Sequence, residues 1–135
     1  MIRYLIDTDI ASDFLRQSFP PLNTRMKSAM REGEVALSAI TRAELRYGQS
    51  LLETRDRRRG LIDLFLQEVP TLEWTSAAAD HYGRLAAIQK KTGKPIGVMD
   101  TQIAAHALAE EFTLVTHNTR HFKSIGGLKI ENWTR

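Results

Sequence analysis

The chain contains no cysteine among its 135 residues, which excludes disulfides, thiolate nucleophiles and cysteine-ligated metal centres. It also lacks a G-x-G-x-x-G fingerprint, and Thr92-Gly93-Lys94 does not have the spacing of a phosphate-binding loop, so nucleotide sites of those two kinds are excluded. No apolar run approaches the roughly 18 residues of a membrane span. The opening MIRYLID runs straight into strand-like sequence without a leader pattern. The expectation is a protein neither exported nor embedded, with the cytoplasm as its compartment. There is no internal repeat, low-complexity tract or linker, and one domain over residues 1–135 is the simplest organisation.

The chain does have 42% hydrophobic residues, enough for an ordinary domain to bury a core. Its net charge of +3 suits a polyanionic partner without requiring one. The local pattern is more pointed: Arg55, Arg57, Arg58 and Arg59 form a run in TRDRRRG, and Arg42 and Arg46 flank Glu44. A run of this kind is usually a solvated face, so it supports nucleic-acid contact only weakly.

Apolar periodicity alternates between strand and helix. RYLID reads as a strand ending at Asp7, with a helix from about Asp9 to Arg16 and a second opened by Pro20 and Pro21. Strands are expected at Val35–Ser38, around Thr71–Trp74, at Thr113–Thr116 and at Leu128–Ile130. Between them lie a helix starting at Thr41, helical pattern after the arginine run, a long helix capped by Thr75 and ending near Gly93, and the alanine-rich helix Val98–Glu111. A short helix is expected at Phe122. This order implies an α/β fold with a mostly parallel central sheet flanked by helices.

In such a fold every helix starts at the edge where the strands end. Asp7 closes the first strand, Glu44 and Asp100 lie near helix starts, and Asn118 follows the last clear strand, so all four gather at the rim where open α/β sheets bind ligands. Two unit charges about 4 Å apart cost roughly 4 kcal/mol at an effective dielectric near 20. A divalent cation relieves that repulsion.

Each acid also has a structural alternative. Asp9 is the better helix cap in LIDTD, leaving Asp7 without a structural duty. Thr41-Arg42-Ala43-Glu44 matches a capping box, which would occupy Glu44. Asp100 shares the sheet-facing stripe with Ile103 and Ala104, and no Lys or Arg lies three or four residues away to partner it. A metal or a distant side chain must do so. His117 and His121 are four apart, but the first falls in a loop, which makes a metal pair a poor reading. His81 and His106 offer no clear site, and the tryptophans and phenylalanines read as core or dimer contacts.

LIDTDI, SAITRAEL, MDTQIAAHALAEEFTLVTHNTRHF and the closing IENW together resemble a PIN-domain ribonuclease of the VapC toxin type, over nearly the whole chain. The resemblance implies that Asp7, Glu44 and Asp100 bind Mg²⁺, with Mn²⁺ able to substitute, and that Thr116 and Asn118 complete the site. Many PIN domains have aspartate where this chain has Asn118, which lowers the charge of the site by one. The implied activity is endoribonucleolytic, on structured RNA such as tRNA. The implied partners are a second copy of the chain and a cognate VapB-like antitoxin. Arg42, Arg46 and the Arg55–Arg59 run would position the RNA backbone.

Two other classes compete. Asp7-Thr8-Asp9 after a strand matches the nucleophile and acid of a haloacid-dehalogenase-type phosphatase, but that chemistry needs a lysine and a later acidic pair where this chain has His117-Asn118. The third class is a non-catalytic RNA-binding regulatory module.

Overall fold

The computed structural model describes residues 1–135. Five strands form one sheet, β1 Tyr4–Ile6, β2 Val35–Ser38, β3 Thr71–Leu72, β4 Thr113–Val115 and β5 Ile130–Glu131. Their spatial order is β3-β2-β1-β4-β5, and every pairing is parallel. Seven helices complete the chain: α1 Thr8–Arg16, α2 Pro20–Arg31, α3 Ala39–Ser50, α4 Arg58–Glu68, α5 Ser76–Thr92, α6 Val98–Glu110 and α7 Thr119–Phe122.

The strands are short, apolar and buried because both faces of the sheet are covered. Side chains alternate along β1: Tyr4 and Ile6 join a core with Leu22, Met26, Leu45 and Phe65 beneath α1 to α4, whereas Leu5 packs into the opposite core with Ile103, Ala104, Leu114 and Phe122. The alanine face of α6 lets that helix lie close to the sheet, with Ala104 and Ala107 fully buried.

The strand order places the topological switch between β1 and β4, since the chain first builds outward through β2 and β3 and then returns to the other side of β1. A crevice opens at the carboxyl ends of strands at such a point. Asp7 follows β1 there, and Thr116 to Asn118 follow β4.

Three local expectations are corrected. Asp7, not Asp9, caps α1, its Oδ1 accepting from the Ile10 N–H at 2.8 Å. α3 starts at Ala39, capped by Ser38 through the Ile40 N–H, so Thr41 lies within the helix and the capping box does not form. The last strand is Ile130–Glu131 and not Leu128–Ile130, because Gly127 adopts φ 81° and Leu128 closes a turn onto Ile125. Thr75 and Gly93 end α5 as expected, Gly93 in the left-handed conformation at φ 69°.

Candidate active site

Asp7 leaves the end of β1 and is 4% exposed. Burial pushes its carboxyl up to about 7, against the opposing effects of the Thr116 hydroxyl and the Ile10 N–H; the negative charges of Asp9 and Asp100 raise it further. Thr116 is fully buried, and its Oγ1 accepts from the Asn118 N–H at 3.0 Å, which fixes the turn after β4. The Asn118 side chain makes no capping bond to α7.

Glu44 projects from α3 toward the start of α1. Its Oε1 accepts from the Thr8 hydroxyl at 2.6 Å, and Thr41 Oγ1 lies 3.2 Å from the same Thr8 oxygen. A hydroxyl has one proton to give. Because Thr8 spends its own on Glu44, Thr41 is the donor to Thr8. The two threonines hold a carboxylate that the capping-box reading would have turned back on its own helix.

Asp100, in the first turn of α6, is half-buried and not on the fully buried stripe expected for it. Burial raises its pKa, the Asp9 and Glu44 charges raise it further, and His121 opposes them. His121 Nε2 lies 3.4 Å from Asp100 Oδ2 and 2.8 Å from the Ile96 carbonyl oxygen. Since a carbonyl only accepts, Nε2 carries a proton and gives it to the Ile96 oxygen. His121 is the distant side chain that lies against Asp100, without being its hydrogen-bond donor.

A model of the PIN domain matches residues 4–128. The chain belongs to the PIN-domain family. It is 31% identical over 134 residues to the tRNA(fMet)-specific endonuclease VapC of Shigella flexneri, covering 99% of this chain and 100% of the relative. Against ribonuclease VapC2 of Haemophilus influenzae the identity is 35% over 133 residues, with 98% and 99% covered. Among solved structures, VapBC2 of Rickettsia felis bound to a promoter DNA fragment superposes with a TM-score of 0.88 at 32% identity, covering 98% of this chain and 99% of that one.

In this PIN domain Asp7, Glu44 and Asp100 come from three separated segments, yet the charges of Asp9 and Asp100 act on Asp7, and those of Asp9 and Glu44 act on Asp100. Asp9, read from sequence as a cap, is therefore a further member of the acidic rim. Its signal was present in the two-residue spacing of Asp7-Thr8-Asp9. No three His, Asp or Glu side chains close on a single point as metal ligands. The rim is an open donor set and not a cage. Its side-chain donors are carboxylate oxygens, the type that hard divalent cations take.

His117 and His121 do not form a pair. His117 Nδ1 faces Asp13 Oδ2 at 3.1 Å, away from the Asp100 contact of His121. The arginines expected at RNA are largely engaged within the fold. Arg42 donates to Thr71 Oγ1, Arg46 to Gln49 and Asp63, and Arg59 to the carbonyls of Gln49 and Leu52. Arg58 pairs with Asp56 at 2.6 Å. Arg55 and Arg57 stay exposed.

Proposed function

We propose that this PIN domain is a Mg²⁺-dependent endoribonuclease, the toxin of a toxin-antitoxin pair, hydrolysing phosphodiester bonds in structured RNA such as tRNA. The observation that carries the reading is the meeting of acids from separated segments at the switch-point crevice: Asp7 is buried there, burial above all raises the pKa of Asp7 and Asp100, and the charges of Asp9 and Asp100 act on the one and those of Asp9 and Glu44 on the other, a strain that a bound cation relieves. The full-length likeness to VapC ribonucleases supports it.

Asp7 and Asp100 would hold the cation, directly or through water, with Glu44 beside them and Mn²⁺ able to replace Mg²⁺. When bound, the cation supplies positive charge against the phosphoryl oxygens and a more acidic water for in-line attack. The chain's own residues set the geometry. Ile10 N–H and Thr116 fix the Asp7 carboxylate, Thr8 fixes Glu44, and the His121 ring, held by the Ile96 carbonyl, lies against Asp100. Asn118 orients the attacking water or a phosphate oxygen through its neutral amide. Arg55 and Arg57 remain free for outer contacts to the RNA backbone.

A VapB-like antitoxin is the proposed inhibitor. A groove of about 230 Å³ lined by Leu15, Leu45, Leu52 and Leu61 opens beside Thr8 and Glu44, where a bound segment would obstruct the rim. Exposed Ile88, Val98 and Met99 on α5 and α6 suit a homodimer contact. No helix is long and apolar enough to cross a membrane, and the cytoplasm is the proposed compartment.

Incubating the protein with total RNA in Mg²⁺ or EDTA, and mapping new ends, tests chemistry and substrate together. Metal-dependent cleavage is the expected result. RNA binding without cleavage at any metal concentration would instead make this a regulatory module, and phosphate release from small phosphoesters alone would make it a phosphatase.

A further inference from the structure

Three of the cations left unpaired by the fold lie outside the arginine run and line one cleft. Lys94 lies in the loop before α6, and Arg120 and Lys123 lie on and just after α7, so they belong to the two segments that deliver Asp100 and Asn118. All three are exposed, and none takes part in an ion pair of the molecule. By contrast Arg46 and Arg58 are paired with acids, and Arg59 is bonded to backbone carbonyls.

These residues line one open cleft of about 500 Å³ together with Ile96, Asn118 and His121, and Ile96 is the one hydrophobic among its eight lining residues. A cleft this polar offers little to an apolar ligand. Three like charges around one opening repel one another in the free protein, and a polyanion relieves that repulsion. The cleft also has a direction. Asn118 lines it directly, and His121 links it to Asp100 across 3.4 Å, so a strand lying in the cleft leads onto the acidic rim.

We propose that Lys94, Arg120 and Lys123 form a phosphate-backbone shelf that holds the RNA on one side of the scissile bond and feeds it past Asn118 to the acids. This rests on the reading of the rim as a ribonuclease centre. The shelf contacts phosphates and not bases, so it sets register and affinity, and it leaves sequence choice to other surfaces.

The test uses the full chain carrying Asp7→Asn, so that RNA stays intact, and a fluorescein-labelled RNA stem-loop titrated at several KCl concentrations. Adding Lys94→Ala, Arg120→Ala and Lys123→Ala should raise Kd about tenfold or more. It should also lower the slope of log K against log salt by about 2, at roughly 0.7 for each phosphate no longer neutralised. A charge-matched set at the opposite edge of the sheet, Lys27→Ala, Arg31→Ala and Lys129→Ala, should leave both quantities near the parent's. Should the triple variant melt well below the parent, the single changes Arg120→Gln and Lys123→Gln carry the same comparison. In the cleaving background the shelf changes should raise KM and leave kcat within about twofold, as removal of uniform binding does.

An unchanged slope, or an equal weakening from the opposite-edge set, overturns the shelf. A fall in kcat with KM unchanged does so too. If the parent shows no metal-dependent cleavage, the ribonuclease reading fails, while the salt titration still decides the shelf. Absence of RNA binding by the parent at low salt overturns both.

Discussion

The Thr8 hydroxyl donates to Glu44 Oε1 across 2.6 Å and so ties the first turn of α1 to the middle of α3. Asp7 caps the same turn from the end of β1. One stretch of three residues, Asp7 to Asp9, therefore supplies a buried acid, the donor that orients a second acid, and a further charge that acts on both Asp7 and Asp100.

Thr8→Val keeps the branched shape and removes the proton. A hydrogen bond to a charged group is worth about 1.5–3 kcal/mol to the fold, so the melting temperature should fall by several degrees, and RNA cleavage should fall roughly tenfold or more as Glu44 loses its orientation. Thr8→Ser should restore most of the rate. Single-turnover cleavage assays check this, and full activity in the valine variant would detach Glu44 from the site.

Asp7→Asn and Asp100→Asn should each leave the fold intact and reduce cleavage below a tenth of the parent rate, a barrier change of at least about 1.4 kcal/mol. Rates above that level in either purified variant would remove that residue from the metal-binding set.

The raised Asp7 pKa carries a stability consequence. The folded state binds its proton more tightly than the unfolded chain does, so in EDTA the protein should lose stability as pH rises from the ordinary value of 3.8 through about 7. Mg²⁺ should reverse that loss. Asp7→Asn should flatten the decline and be more stable than the parent at pH 8 in EDTA, by an amount on the order of 1–3 kcal/mol. Thermal melts across pH decide it; a variant less stable than the parent would make the capping role of Asp7 dominant.

Asn118→Asp adds negative charge in the turn after β4 and should tighten Mg²⁺ binding measured by calorimetry. Equal or weaker affinity would show that the residue 118 side chain faces away from the cation.

His106 is fully buried on α6, with Nδ1 2.8 Å from Ser38 Oγ, the cap of α3. Burial lowers its pKa below the usual 6.5. The folded state therefore binds its proton less readily than the unfolded chain, and stability present above 6.5 should be lost as pH falls through the depressed value. His106→Gln should remove that acid limb. His106→Ala should cost about 2–4 kcal/mol from the cavity and the missing hydrogen bond, read by urea denaturation.

The parallel sheet and the rim were legible in the sequence because both follow from periodicity. Apolar runs at Tyr4–Ile6, Val35–Ser38 and Thr113–Val115 alternate with helical stretches, and that order alone sends the residues after each strand to one edge. Capping is ambiguous in sequence where two residues compete for one role. Asp7 and Asp9 are both good caps, and only the buried backbone path after β1 decides between them. Ser38 captures α3 before Thr41 because its own Oγ already reaches the Ile40 N–H. The pairing of His121 with Asp100 was beyond reach, since it joins α7 to α6 across the sheet edge and leaves no periodic trace. The arginine run shows the reverse difficulty. Its charges are plain in the sequence, but the carbonyls and acids that bind Arg58 and Arg59 are visible only in three dimensions.

The register of β1 has a consequence for synthesis. Tyr4 and Leu5 pair with Val35 and Ala36 on one side, and Tyr4, Leu5 and Ile6 pair on the other with Thr113, Leu114 and Val115, which are made last among these segments. The Thr8–Glu44 contact joins two residues of the first third of the chain, whereas Asp100 and Asn118 lie on either side of β4, which pairs with β1. All four residues are therefore present only when translation is nearly over.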